Sequence, residues 1–300
     1  MHLFIITGTS GSGKSVVIRA LEDAGFNCID NLPVYLIESL IQGLDPNSNH
    51  QVAIAIDGRQ GSSIQNLHIL IAKLKVDHEI TVLFLDANTS TLVNRFSETR
   101  RRHPLSSSST QQSENSLIES INLERELLLS LSNIGHHIDT TNLSSNTLRN
   151  WVKELVQDKI QGLTLLFESF GYKYGIPQDI DILFDMRCIA NPYYETSLKQ
   201  LTGNDPIVKD FLYQQADFVL LKNDIFKFLD HWIPKYQIDG RSYLTIGIGC
   251  TGGQHRSVAM VNELYESFLQ SPNEMSKKMT VLKRHREINR RYPETIQSAL

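Results

Sequence analysis

Apolar residues recur along this chain in short runs separated by stretches of helical spacing. Leu3–Thr7 is one such run, and after a Gly-rich turn Ser15–Ala24 has helical spacing. Val52–Ile56 is a second run, ending at Asp57; Ile64, Leu67, Leu70, Ile71 and Leu74 then mark a helix over Ile64–Leu74. Thr81–Leu85 is a third run, ending at Asp86. Short runs of this kind are buried strands, and the stretches between them are long enough to cross a sheet, so the pattern predicts parallel strands joined by helices. Between Arg95 and Glu119 the period fails (RRRHPLSSSSTQQSEN lies inside), which predicts an exposed loop. A helix at Leu117–Leu131 and a strand near His137–Asp139 follow. The alternation then restarts: strands at Leu163–Ser169, Ile180–Phe184 and Tyr243–Ile248, helices at Asp205–Leu221 and Ser257–Leu269. A break near residues 152–160 separates two α/β domains, 1–154 and 155–300, with no internal repeat.

Composition narrows the class. The 300 residues are 41% hydrophobic and 21% charged, ordinary for a globular chain and against wholesale disorder. The longest apolar runs, Thr81–Leu85 and Leu163–Phe167, fall far short of the ~18–20 residues of a membrane span. No basic stretch precedes Leu3-Phe4-Ile5-Ile6, so no secretory leader is expected. Cys28, Cys188 and Cys250 form no disulfide framework and no paired metal spacing, which fits a reducing cytoplasm. The net charge of -4 is unevenly spread. Residues 277–291 hold seven Lys or Arg against one Glu, while residues 1–160 hold 13 against 17 and residues 161–276 hold 9 against 14. A mildly acidic body ending in a basic segment calls for a partner.

Three constellations carry chemistry. Gly8-Thr9-Ser10-Gly11-Ser12-Gly13-Lys14-Ser15 matches G-x-x-x-x-G-K-[ST] between an apolar strand and a helix. Glycines let the backbone turn its N–H groups inward around an anion, and the following helix adds the positive end of its dipole. Lys14 would reach the outer phosphates of a nucleotide and the Ser15 hydroxyl would ligate Mg²⁺. Such a site needs an acidic group at a neighbouring strand end. Asp57 and Asp86 are both candidates, the alternative being ordinary strand-end caps. Asp57-Gly58-Arg59-Gln60 could also bring a cation to the phosphates. Arg95, Arg100, Arg101 and Arg102 would belong to a lid near 95–119, or be a solvated run, and Asp139-Thr140-Thr141 ends a strand beside the site.

The second constellation is Gly249-Cys250-Thr251-Gly252-Gly253-Gln254-His255-Arg256-Ser257, again between a strand and a helix. Cys250 and Arg256 have the C-x₅-R spacing of cysteine phosphatases, a thiolate under backbone N–H groups with an arginine forking onto phosphate. Gly249 stands where those enzymes usually have His. Anion binding needs only the loop and Arg256. Asp185-Met186-Arg187 and Asn191-Pro192-Tyr193-Tyr194 could line the same pocket, since parallel strands open at one edge. The alternative is a plain turn with Ser257 as a cap. The third constellation is the basic tail, with Lys277, Lys278, Lys283, Arg284, His285, Arg286, Arg290 and Arg291 interleaved with Val281, Leu282 and Ile288. It would neutralise phosphates with little base readout, or be a solvated face.

Taken together, GTSGSGKSVVIRALEDAGFNCIDNLP, ETRRRHPL, IDTTNLS, DMR…NPYY and GCTGGQHRSV resemble the RapZ (YvcJ-like) nucleotide-binding family, the RNase adapter proteins, over essentially the whole chain. The resemblance implies a kinase-like P-loop domain binding ATP or GTP with Mg²⁺, its contacts on Gly8–Ser15 and Asp57–Gln60. It also implies a C-terminal α/β domain whose anion loop senses a phosphorylated metabolite, glucosamine-6-phosphate in some members. In enterobacterial members that domain binds small regulatory RNA and presents it to an endonuclease. A cytoplasmic regulatory adapter of amino-sugar metabolism, homo-oligomeric, is the expectation. A small-molecule kinase or NTPase is the alternative, with a cysteine phosphatase behind it.

Overall fold

The structure, a computed structural model, describes residues 2–44, 51–58, 64, 66–106, 114–132, 134–157, 163–239, 241, 243–270 and 279–291. The chain divides into two compact units, Met1–Gln157 and Asp158–Leu300.

The first unit runs β1 (His2–Gly8), α1 (Lys14–Asp23), β2 (Asn27–Asp30), α2 (Ile37–Gln42), β3 (Gln51–Ala55), α3 (Leu67–Leu74), β4 (Glu79–Asp86), α4 (Thr89–Thr99), α5 (Glu114–Ser132), β5 (His136–Asp139) and α6 (Ser145–Gln157). Its strands form a parallel sheet in the order β2-β3-β1-β4-β5. β1 is central and buried from Leu3 to Gly8, which is why its sequence reads as one apolar run rather than an alternation. On one face Leu3, Ile5, Ile54, Val82 and Phe84 pack with Leu67 and Ile71 of α3 and Leu128 and Leu131 of α5.

The expected loop from Arg95 to Glu119 is shorter than its sequence suggests. α4 runs to Thr99, with Arg95 on it, because Leu92, Val93 and Phe96 supply a buried helical stripe. Asn88 caps it, its side chain accepting the Thr91 N–H at 2.8 Å. α5 already begins at Glu114; residues 107–113 lie outside the described residues. α3 starts at Leu67, three residues later than the apolar spacing implies.

The second unit runs β6 (Leu163–Gly171), β7 (Ile182–Asp185), α7 (Pro206–Tyr213), α8 (Ala216–Ile238), β8 (Tyr243–Cys250), α9 (Arg256–Leu269), β9 (Met279–His285) and α10 (Arg286–Arg291). The sheet order is β7-β8-β6-β9, again parallel. All nine residues of β6 are buried. The single helix expected at Asp205–Leu221 is two: the chain breaks at Gln214-Gln215, Gln215 takes an extended conformation, and α8 continues to Ile238 with Phe218, Ile225, Leu229 and Ile233 buried. No helix among the described residues is long and apolar enough to cross a membrane.

The basic tail is the largest correction. Residues 279–285 form an edge strand paired along β6, from Leu163 opposite Met279 to Ser169 opposite His285. Lys283 is exposed there. Arg284 and Arg286 are buried, at 3% and 8% exposure, so neither belongs to a solvent-facing phosphate patch. The Arg286 guanidinium donates to Glu168 Oε1 at 2.9 Å and lies 3.8 Å from Asp179 Oδ1. Glu168 sits on the central strand with no exposure. Burial and the neighbouring Asp179 hold its carboxyl above the ordinary carboxylate range, against the pull of Arg286 and Arg284. The arginines answer buried carboxylates. Lys277 and Lys278 lie outside the described residues, and Arg290 and Arg291 fall on α10.

Removing Arg286 therefore leaves two carboxylates without their shared cation. Arg286→Met should cost about 3–5 kcal/mol of unfolding free energy near neutral pH. Losing Arg286 raises the folded pKa of Glu168 further while its unfolded value is unchanged, so the added penalty is full above the variant's folded pKa and is gone once pH falls below the wild-type value of about 7. Urea titrations at pH 8 and pH 5 should show the deficit shrinking at pH 5; a pH-independent deficit would exclude the carboxylates as its cause.

Candidate functional site

In a parallel sheet all strands leave at one edge, and in the first unit β1, β3 and β5 deliver their following residues to a cavity of about 750 Å³ there. Residues 10–16, Asp57, Arg95 and Thr140 line it. The turn between β1 and α1 is shaped by glycine: Gly13, directly before α1, has φ 107°, a left-handed conformation that a side chain disfavours. With Gly13 placed so, Lys14 and Ser15 open the helix and its unsatisfied N–H groups face the loop. Lys14 Nζ donates to the carbonyls of Gly8 at 2.6 Å and Thr9 at 3.0 Å, folding the ammonium back over the turn.

Asp57 and Asp86 separate clearly. Asp57 lines the cavity. Asp86 is not among the residues lining it, and its carboxylate accepts the Thr9 hydroxyl at 2.7 Å, the Ala87 N–H at 2.8 Å and Arg125 Nε at 3.1 Å. Asp86 is thus a brace between β4, the cradle and α5, leaving Asp57 with Ser15 as the pair that could hold a cation beside a phosphate. Gly58 is buried next to it, while Arg59 and Gln60 lie outside the described residues. Arg95 reaches from α4 to the Gly11 carbonyl at 3.0 Å and to Thr140, whose hydroxyl donates to the Ser12 carbonyl at 2.8 Å. Arg101 and Arg102 line the cavity directly; Arg100 ends α4 with φ 51°.

Two residues that the sequence reading gave no role stand behind the cradle. Glu124 of α5, fully buried, accepts the Ser10 N–H at 2.7 Å and the Ser10 hydroxyl at 2.8 Å. His103, also buried, lies with Nε2 3.1 Å from the same carboxylate. Burial would raise the Glu124 pKa, but the His103 hydrogen bond, the Lys14 charge and the two Ser10 donors outweigh it and hold the carboxyl below its ordinary value. The signal was present: Leu117, Ile121, Glu124, Leu128 and Leu131 share one helical stripe, and a single carboxylate inside it marks a buried charge. Asp30, at the end of β2, also lines the cavity and was not anticipated.

In the second unit the loop from Thr251 to His255 joins β8 to α9. Gly253 has φ 67°, and a Cβ there would sit 2.5 Å from Glu287 Cγ and 2.7 Å from the Gly171 nitrogen. Cys250 is buried, and its sulfur accepts the Gly253 N–H at 3.2 Å and lies 3.2 Å from the Ser257 hydroxyl. Arg256 is 4% exposed; it donates to the carbonyls of Ile189 at 2.7 Å and Arg187 at 3.3 Å and to the Thr251 hydroxyl. The arginine therefore ties the segment after β7 to the loop, bringing Arg187 beside it, with Asp185 opposite Gly249. Arg187 is paired with Asp185 at 2.7 Å and stacked 3.9 Å over the Tyr172 ring. Asn191 accepts the Tyr193 N–H. His255 and Gln254 are directed at the carbonyls of Leu198 and Leu201, and burial lowers the His255 pKa. Thr251 is exposed and Gly252 half-buried.

Comparison with known proteins follows the same two-part division. Residues 1–159 match the RapZ-like N-terminal domain and residues 163–289 the RapZ C-terminal domain. A protein of Polynucleobacter asymbioticus named nucleotide-binding protein is 50% identical over 289 residues, covering 96% of this chain and 98% of that one. Another of that name, from Cupriavidus metallidurans, is 46% identical over 299 residues, covering 96% and 99%. Among solved structures, shikimate kinase from Bacteroides thetaiotaomicron is similar over 52% of this chain and 98% of its own, with 12% identity and a TM-score of 0.34. Matched domain by domain and by relatives along 96% of its length, the chain belongs to the RapZ-like family of nucleotide-binding proteins.

Proposed function

We propose that the first unit binds ATP or GTP with Mg²⁺ at Gly8–Ser15. The observation that carries this is the cradle itself: a turn with left-handed Gly13, Lys14 at the mouth and the α1 N-terminus, all facing one cavity. Ser15 offers a hydroxyl and Asp57 a carboxylate, a hard-oxygen pair that suits Mg²⁺ arriving with phosphate oxygens and water. When bound, the ion would neutralise phosphate charge. Among the described residues no group of three or more His, Cys, Asp or Glu could hold a metal without a ligand's help.

We further infer the adapter role that the family resemblance implies: a phosphorylated metabolite such as glucosamine-6-phosphate at Thr251–Ser257, and a small regulatory RNA handed to an endonuclease. In support, the second loop pairs a glycine-rich turn with the N-terminus of the 14-residue helix α9. Against a cysteine phosphatase, Cys250 is buried under its own loop, its sulfur accepting the Gly253 N–H and lying against the Ser257 hydroxyl. A small-molecule kinase is the second reading, favoured by Asp30 and Asp57 sharing the cavity with Arg95, Arg101 and Arg102.

Three measurements separate these readings. Lys14→Ala should weaken ATP and GTP binding at least tenfold by calorimetry in Mg²⁺, an amount worth about 1.4 kcal/mol; unchanged affinity would sink the nucleotide reading. Cys250→Ser should keep glucosamine-6-phosphate binding while Arg256→Ala loses it, and a phosphatase turnover abolished by Cys250→Ser would establish the enzyme instead. For RNA, Arg284 and Arg286 are unsuitable targets because they are buried. The triple change Lys283→Ala, Arg290→Ala, Arg291→Ala should make the slope of log affinity against log salt shallower by up to about 2–3. An unchanged slope means that the tail does not contact RNA phosphates.

A further inference from the structure

Four separate segments around the phosphate cavity converge on one buried carboxylate. The cradle contributes Ser10, whose N–H and hydroxyl donate to Glu124 at 2.7 and 2.8 Å. The segment after α4 contributes His103, whose Nε2 is 3.1 Å from Glu124 Oε2. The end of β3 contributes Gly58: a Cβ there would lie 2.8 Å from both Cγ and Oε1 of Glu124. Helix α5 carries Glu124 itself and, one residue on, Arg125, which holds Asp86. The histidine tautomer follows from its partners. His103 Nδ1 accepts the Leu105 N–H at 3.2 Å, so Nε2 is the nitrogen that carries a proton and donates it to Glu124. Three donors thus meet one carboxylate, and all three are satisfied.

What this junction positions is visible on the cavity side. Ser10 is the third residue of the cradle, Asp57 precedes Gly58, and Arg101 and Arg102 immediately precede His103; all four line the cavity. Neither Arg101 nor Arg102 is buried, so their approach to a phosphate depends on where His103 pins their segment. A long cation on a free loop loses side-chain and backbone entropy when it binds, and pinning the adjacent residue lowers that cost.

We propose that Glu124 and His103 are positioning residues of this cavity, holding Ser10, Asp57 and the Arg101-Arg102 pair in register for the terminal phosphate of a nucleoside triphosphate. The proposal rests on nucleotide binding at Gly8–Ser15. It makes a distinction that simple binding does not. A diphosphate is still held by the α1 N-terminus and Lys14, whereas the added charge of a triphosphate is what the two arginines answer.

The experiment compares ATP with ADP, and GTP with GDP, by calorimetry in Mg²⁺ on the full chain. In Glu124→Leu the carboxylate is gone, so the Ser10 N–H, the Ser10 hydroxyl and the His103 N–H lose their shared acceptor. In Gly58→Ala no charge or hydrogen-bonding group changes and the backbone is not left-handed, yet the new methyl displaces the Glu124 side chain. Both variants, and His103→Ala, should bind triphosphate about tenfold more weakly while diphosphate affinity stays within about twofold. His103→Gln, which keeps an N–H donor, should recover most of the triphosphate preference. Retained diphosphate binding shows that each variant is folded. Equal losses for both nucleotides, or no loss in any variant, overturn the proposal. Lys14→Ala run alongside should weaken both nucleotides; if it and the wild type bind neither, or bind alike, the nucleotide reading fails and this proposal with it.

Discussion

A parallel sheet imposes one constraint from which the rest of this protein follows: every strand ends at the same edge, and every following helix starts there. Strand ends place carbonyls, aspartates and turns together, and helix starts place unsatisfied N–H groups among them. Both units obey it. In the first, β1 and α1 meet at Gly8–Ser15 with Asp57 beside them; in the second, β8 and α9 meet at Gly249–Ser257 with Asp185 beside them. Two glycine-containing turns between a strand and a helix on one chain are thus a repeated consequence of the same geometry.

The two units differ in how they use buried charge. Glu124 is surrounded by donors, each satisfied, and remains a carboxylate in spite of its burial. Glu168 meets one close cation and a second carboxylate, and among the described residues Oε2 has no hydrogen-bond partner. A satisfied buried carboxylate behaves as a rigid joint, because moving any partner leaves a donor stranded. A partly satisfied one is sensitive to its cation instead, which is why Arg286 belongs to the architecture of the second unit even though it lies in the most basic stretch of the sequence.

Much of this was legible from residue order alone, and the reasons are local. Apolar runs such as Leu3–Thr7 and Val52–Ile56 are buried on both faces, so strands were visible without alternation. G-x-x-x-x-G-K-[ST] names its own turn because glycine and lysine have roles fixed by backbone geometry. The Gly249–Ser257 loop was visible from its glycines and from the spacing of Cys250 and Arg256. The helix α4 was not read at all, and α8 was missed beyond Leu221, because polar residues between stripe positions hide a period that burial enforces.

What the sequence by itself determined is therefore what depends on neighbours in the chain: two runs of α/β alternation, a phosphate turn between a strand and a helix, and the residue types that turn requires. What tertiary structure decided is which charged residues face inward. Asp57 and Asp86 are equivalent as strand ends, yet one lines the cavity and the other braces Thr9 and Arg125. Lys283 and Arg284 are adjacent, yet one is exposed and the other buried. Glu124 is an ordinary helix carboxylate until Ser10 and His103, 114 and 21 residues away, are folded against it. Sequence fixes a charge at a position; the free energy of that charge depends on partners that only folding brings within hydrogen-bonding distance.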